Sequence, residues 1–141
     1  MRGPWTQLHV HLCWATWDRK PLITPALEGA LYAAFTAKCV DLDVVPVAIG
    51  GTMDHVHLLL RLTPVTAVAD VVKHLKGSSS HFMAHRIQPG RLFKWQGAYG
   101  AFTVSPSGVP VVRNYILRQK EHHAANTTHR NMELTQDPVE P

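Results

Sequence analysis

Apolar and polar positions alternate along residues 5–16: Leu8, Val10, Leu12 and Trp14 fall in one set, and Gln7, His9 and His11 in the other. A period of two marks a strand with one core-facing side. The period then lengthens. Leu27, Leu31, Ala34 and Phe35 recur at helical spacing up to about Asp41, behind Thr24 as N-cap and Pro25 in the first turn, where a missing N–H costs nothing. Two β-rich runs follow, at 44–49 and 55–62, separated by Gly50, Gly51, Thr52, Met53 and Asp54, a hairpin composition. Pro46 lacks the N–H that a ladder needs, which assigns the first run to a sheet edge or a bulge. Thr66 is placed to cap a second helix carrying Val68, Val71, Val72, Leu75 and, past Gly77, Phe82 and Met83. After the Pro89-Gly90 break, residues 99–105 alternate as a last strand. Ser107 then caps a third helix, which tolerates Pro110 in its first turn and runs to about His123.

The order strand, helix, strand, strand, helix, strand, helix predicts an α+β fold. Two β-α-β units joined by a hairpin make a ferredoxin-like (RRM-like) antiparallel sheet with helices on one face, plus a C-terminal helix that packs elsewhere. Residues 1–125 read as one domain. From Asn126 onward the chain is polar, holds Glu133, Asp137 and Glu140, and has no apolar period, so residues 126–141 read as a flexible acidic tail.

A chain of 141 residues can bury one core without staples. Cys13 and Cys39 match no metal or redox spacing and read as free thiols of a cytoplasmic protein. No run approaches the roughly 18 to 20 apolar residues of a membrane span, so no membrane partner is expected. Charge matters more by position than in total. Between 71 and 120 lie eight basic residues and no carboxylate. Such a stretch presents a positive field to a phosphate backbone; a solvated basic face is the plainer alternative.

His-Val-His occurs twice, at 9–11 and 55–57. Side chains two apart on a strand share a face, so His55 and His57 set two imidazoles side by side, opposite Val56, Leu58 and Leu60. The spacing suits two ligands of one divalent ion, against the alternative of a solvent-facing pair. Tyr115 and Gln119, four apart, share a helix face that His122 continues; the alternative is a tyrosine at the edge of the core. Neither histidine pair extends to a triad, because the next same-face residues are Leu59 and Cys13. Strict alternation points Asp54 away from His55, which leaves no closed zinc set unless the turn breaks the alternation.

Taken in order, "GGTMDHVHLLLRL", "VADVVKHLKGSSSHF" and "FKWQGAYGAFTVSPSGVPVVRNYILRQKEHH" resemble the single-tyrosine His-hydrophobe-His transposases, which move bacterial insertion sequences as single-stranded DNA; the similarity spans residues 6–123. The resemblance implies that Tyr115 is the nucleophile, that His55, His57 and Gln119 are the protein ligands of Mg²⁺ or Mn²⁺, and that single-stranded DNA is cut and rejoined through a 5′-phosphotyrosine. It also implies recognition of DNA hairpins, and a homodimer in which the tyrosine helix of one subunit completes the histidine site of the other. Within the carboxylate-free stretch, Lys73, Lys76, Arg86, Arg91 and Lys94 are candidate phosphate contacts. Trp95 and Tyr99 are either stacking platforms for bases or core aromatics. His9 and His11 lack a partner constellation and read as polar first-strand residues near DNA, not as ligands. A non-catalytic nucleic-acid binder on the same sheet and a domesticated nickase acting at repeats are the alternative functions.

Overall fold

The computed structural model describes residues 3–138. Four strands, β1 (Leu8–Ala15), β2 (Val45–Gly51), β3 (His55–Leu62) and β4 (Gly100–Val104), form one sheet in the order β2-β3-β1-β4 with every pairing antiparallel. Helix α1 (Pro25–Asp41) links β1 to β2, and α2 (Val68–Phe82) lies between β3 and β4. This is the ferredoxin-like arrangement that the element order predicts. Pro46 sits on the edge strand β2, and the register slips between Pro46 and Ala48, as the missing N–H requires.

One face of the sheet carries the main core. Val10, Leu12 and Trp14 from β1 and Val56, Leu58 and Leu60 from β3 pack with Leu27, Leu31 and Phe35 of α1 and Val71, Val72 and Leu75 of α2. Burying each of the large apolar side chains contributes about 1.5–3 kcal/mol. Trp95 belongs to this core, edge-on to Trp14, with its indole N–H donating to Ser79 Oγ at 2.9 Å. It is therefore a core aromatic and not a platform for bases. Tyr99 is half-buried against the same cluster.

Three local expectations are corrected. Thr66 does not cap α2: its hydroxyl accepts the Thr63 N–H at 3.0 Å and the helix starts two residues later. Ser105, not Ser107, accepts the Gly108 N–H, at 3.3 Å, and heads a 3₁₀ turn, Pro106–Gly108. The third helix is broken in two, α3 (Val109–Leu117) and α4 (Gln119–Ala125), by Arg118 at φ −110° and ψ 25°.

Helices α1 and α2 share one face, and α3 lies on the other. Its Ile116 packs with Leu59 and Ala48, flanked by Val109 and Val112. His55, His57 and Leu59, which point away from the main core on β3, are thus buried as well, and only Arg61 at the strand's end is exposed on that face. Gly50 makes this docking possible, because a Cβ there would collide with the Ile116 carbonyl. Gly50→Ala should push α3 off the sheet and cost about 1–3 kcal/mol. An unchanged thermal midpoint would count against this packing.

Helix α4 ends at Asn126, which adopts the left-handed conformation (φ 57°, ψ 41°), and the chain turns back. Residues 126–138, expected as part of the flexible acidic tail, are held by polar contacts that hydrophobic periodicity does not register. The Thr135 carbonyl accepts from Gln96 Nε2 at 2.7 Å, and the Leu134 carbonyl lies where a Cβ on Gly100 would be. Residues 139–141, including Glu140 of that expected tail, fall outside the described residues. Among the described residues no helix is long and apolar enough to cross a membrane.

Candidate active site

The hairpin between β2 and β3 builds one half of the site. His55 and His57 occupy the second face of the sheet, at 2% and 0% exposure, so the pair faces neither solvent nor the main core. The turn breaks the alternation and brings Asp54 back: its Oδ1 lies 2.8 Å from His55 Nδ1, and Thr52 Oγ1 lies 2.9 Å from the same nitrogen. Arg19 stands 3.6 Å from Asp54. His57 Nδ1 is 2.8 Å from Nε2 of His11 on β1. With both Nδ1 atoms engaged, both Nε2 atoms turn toward the same carboxylate: His55 Nε2 lies 3.2 Å from Glu133 Oε1, and His57 Nε2 lies 3.1 Å from Glu133 Oε2.

Helices α3 and α4 build the other half. Tyr115 is buried with its ring edge-on to His57, and its hydroxyl donates to Glu133 Oε2 at 2.6 Å while accepting the His129 N–H at 2.9 Å. Past the break at Arg118, Gln119 is buried too. Its Oε1 is 3.1 Å from His55 Nε2 and 3.0 Å from His123 Nε2, and its Nε2 donates to Glu133 at 3.3 Å. His122 continues the Tyr115 stripe as the sequence suggests, with ring centroids 4.7 Å apart. His123 is the one that enters the site, with Nε2 at 2.8 Å from Glu133 Oε1.

Electrostatics follow from this crowding. Burial opposes charge on Glu133, but hydrogen bonds from His55, His57 and Tyr115 hold its carboxyl far below the usual range. Burial also opposes charge on His55, yet the hydrogen bonds to Asp54 and Glu133 outweigh it and raise the pKa to about 9. For His57 burial prevails and the pKa is lowered. His11, desolvated and next to His57, is lowered to about 3. Burial and the Glu133 hydrogen bond push the Tyr115 phenol up to about 12. Burial likewise raises the Cys13 thiol, whose sulfur lies 3.7 Å from His57 Nε2.

A pH dependence follows for the metal-free protein. His55 has a folded pKa of about 9 against an ordinary 6.5, so its charge stabilises fully below pH 6.5 and the contribution is lost as pH rises through 9. The shift corresponds to a loss of order 3 kcal/mol. The thermal midpoint of chelator-treated protein should fall across that window; a midpoint that rises there would contradict the His55–Glu133 pairing.

The side chains present suit a divalent cation. One ligand atom each from His55, His57 and Glu133 lies within 4.8 Å of the others, and Gln119 Oε1 adds a second oxygen beside His55. Imidazole nitrogen mixed with carboxylate or amide oxygen is a donor set open to Mn²⁺ or Mg²⁺ that keeps some water. The four residues singled out from sequence, Tyr115, His55, His57 and Gln119, meet in this one place. Glu133 and His11 join them unannounced: Glu133 sits in an aperiodic polar stretch, and His11 becomes a neighbour of His57 only through strand pairing.

The basic candidates separate. Lys73, Arg86, Arg91 and Lys94 are exposed, and Lys94 Nζ lies 4.0 Å over the Trp17 ring. Lys76 is half-buried, donates to the carbonyls of Gln96 and Ala98 at 2.8 Å each, and is lowered by burial to about 8. It staples the loop before β4 and is not presented to a phosphate. Beside Glu133 opens a cleft of about 680 Å³ lined by Trp17, Arg19, Gln96 and Thr135.

With this geometry in place, the likenesses to known proteins are informative. Residues 5–119 match the family described as "Transposase IS200 like". The chain is 31% identical over 134 residues to the ISDra2 transposase TnpA of Deinococcus radiodurans, covering 85% of this chain and 89% of that protein. A crystal structure described as that of a transposase from Deinococcus radiodurans R1 superposes with a TM-score of 0.66 at 31% identity, over 82% of this chain and 93% of that one. A REP-associated tyrosine transposase bound to a REP hairpin shares the fold, with a TM-score of 0.65 at 12% identity over 91% of this chain and 74% of that one. The sequence blocks, the sheet order and these matches agree, and the chain belongs to the IS200-like transposase family.

Proposed function

We propose that this transposase cleaves and rejoins single-stranded DNA at insertion-sequence ends, with Tyr115 as nucleophile and a divalent metal at His55 and His57. One observation carries the reading: the Tyr115 hydroxyl and the Nε2 atoms of both histidines point at one carboxylate, Glu133. An anion held between a nucleophile and a metal-competent imidazole pair marks the place that a scissile phosphate would need. The cleft beside Glu133 gives a strand a way to approach it.

In the proposed reaction the Tyr115 oxygen forms a bond to phosphorus and the bond to the 3′ oxygen breaks, which leaves a 5′-phosphotyrosine and a 3′-hydroxyl that has gained a proton. Attack by another 3′-hydroxyl reverses the step and rejoins strands without an external energy source. His55 and His57, with an oxygen from Gln119 or Glu133, would hold Mg²⁺ or Mn²⁺, which supplies positive charge and orientation at the phosphate. Burial and the Glu133 hydrogen bond together keep the phenol protonated. Moving that carboxylate off the hydroxyl removes one of the two causes and makes the phenolate easier to form.

Hairpin recognition, a homodimer and a cytoplasmic location complete the proposal; within one chain Tyr115 already meets His57 and Glu133, so a site shared between subunits would need α3 and α4 exchanged between them. These three additions rest on family membership; in this reading residues 1–125 supply Tyr115, His55, His57 and Gln119, and Glu133 joins them from beyond that boundary. Lys73, Arg86, Arg91 and Lys94 are the proposed phosphate contacts. Against a purely binding role stands the covered second face: an RNA-recognition sheet needs exposed stacking aromatics, and here α3 buries that surface.

The test is a labelled single strand carrying a hairpin, incubated with Mn²⁺ and then denatured. A covalent protein-DNA adduct that EDTA prevents is expected; binding with no adduct on substrates drawn from the element's own ends would favour the non-catalytic alternative. Mixing Tyr115→Phe with His57→Ala protein restores adduct if sites are shared between subunits, and restores none if each chain serves itself.

A further inference from the structure

We infer that His11, from the first His-Val-His, is a positioning residue that fixes His57 in the tautomer able to bind the metal. The inference rests on His57 being a ligand, as proposed above. His11 and His57 are diagonal neighbours across the β1–β3 pair, since His11 lies opposite Leu59. His11 Nε2 lies 2.8 Å from His57 Nδ1, and both rings are buried, at 1% and 0% exposure. Phe102, opposite His11 on β4, tilts against the His11 ring with centroids 5.5 Å apart, so the imidazole is clamped between two strands.

A neutral imidazole has one donor and one acceptor nitrogen. When the ion is bound, His57 Nε2 would give up the proton it donates to Glu133, and Nδ1–H donating to His11 Nε2 then leaves the Nε2 lone pair for the ion. If the bond runs the other way, His57 Nε2 carries the proton and cannot ligate. Only the first arrangement serves a metal. His55 is set up alike, with Nδ1 held by Asp54 and Thr52 and Nε2 turned to the site. The two ligands thus have different orienting partners, a carboxylate for one and an imidazole for the other. Such partners typically govern metal affinity by about 10- to 100-fold.

Two substitutions separate this role from packing. His11→Phe keeps a flat ring and removes the acceptor; His11→Gln restores an acceptor oxygen. Mn²⁺ affinity, read by the spin resonance of free Mn²⁺, should fall about 10- to 100-fold in the Phe protein and recover in large part in the Gln protein, both measured at a temperature where circular dichroism shows them folded. Equal affinity of wild type and a folded His11→Phe protein would overturn the inference, whereas a wild type that binds no Mn²⁺ would overturn the metal reading itself. Should the Phe protein not fold, imidazole nitrogen NMR of the Mg²⁺-loaded wild type decides: a scalar coupling across the hydrogen bond from His57 Nδ1–H to His11 Nε2 is expected, and a His57 Nδ1–H with no such coupling contradicts the assignment.

Discussion

Tyr115→Phe protein should form no covalent adduct with single-stranded DNA, and its strand cleavage should fall by on the order of 10⁴- to 10⁶-fold, the range seen when a nucleophile is removed. The substitution deletes one oxygen and leaves the ring against His57, His122 and His129. It also frees Glu133 Oε2 and the His129 N–H from the hydroxyl that they share. Lost hydrogen bonds of this kind cost about 1–3 kcal/mol, so folding should survive while chemistry does not. DNA affinity should change little, because the hydroxyl contributes to bond making more than to holding the strand. Substantial residual cleavage with the same strand polarity would mean that water or another side chain is the nucleophile.

The second large effect concerns the metal. Chelation, or His57→Ala, should reduce cleavage by at least about 100-fold while Tyr115 remains in place. The two treatments differ in a useful way. Chelation is reversible, and added Mn²⁺ should restore activity, whereas the Ala protein should no longer bind the ion and should not respond to it. His57→Ala also strands the buried His11 nitrogen, so a lower thermal midpoint is expected alongside the kinetic loss. Cleavage that is indifferent to EDTA in the wild type would remove the metal from the account.

Most of the fold could be read along the chain because the core obeys simple periods. Leu12, Trp14, Val56 and Leu58 alternate on their strands, and Leu27, Leu31 and Phe35 recur on α1. Pro46 announced its own bulge. What escaped were features decided by tertiary contact. The break at Arg118 splits what reads as one amphipathic helix, and it sends Gln119 and His123 toward His55 while His122 stays with Tyr115.

The site was legible to a similar degree and for a similar reason. Tyr115 with Gln119, and His55 with His57, are local patterns, and the structure brings the two pairs together. Glu133 reaches the same point from a polar segment whose docking depends on Gly100 and Gln96, far away in sequence. His11 looked idle because its partner lies 46 residues on, and only strand pairing makes them neighbours. Lys76 misled in the opposite sense: its position in a carboxylate-free stretch suggested phosphate, but its donors close a loop. Composition reports charge, and only the fold reports where the charge is already used.

The most direct test of the central claim is to locate the covalent bond. Wild-type protein, Mn²⁺ and a single-stranded hairpin substrate from the element's ends would be quenched, digested with protease and nuclease, and analysed by mass spectrometry. The account predicts a nucleotide joined through its 5′-phosphate to the peptide containing Tyr115, with no such mass when EDTA is present. A 5′-phosphate linked to any other residue, or a cleaved strand with no linked peptide, would contradict it.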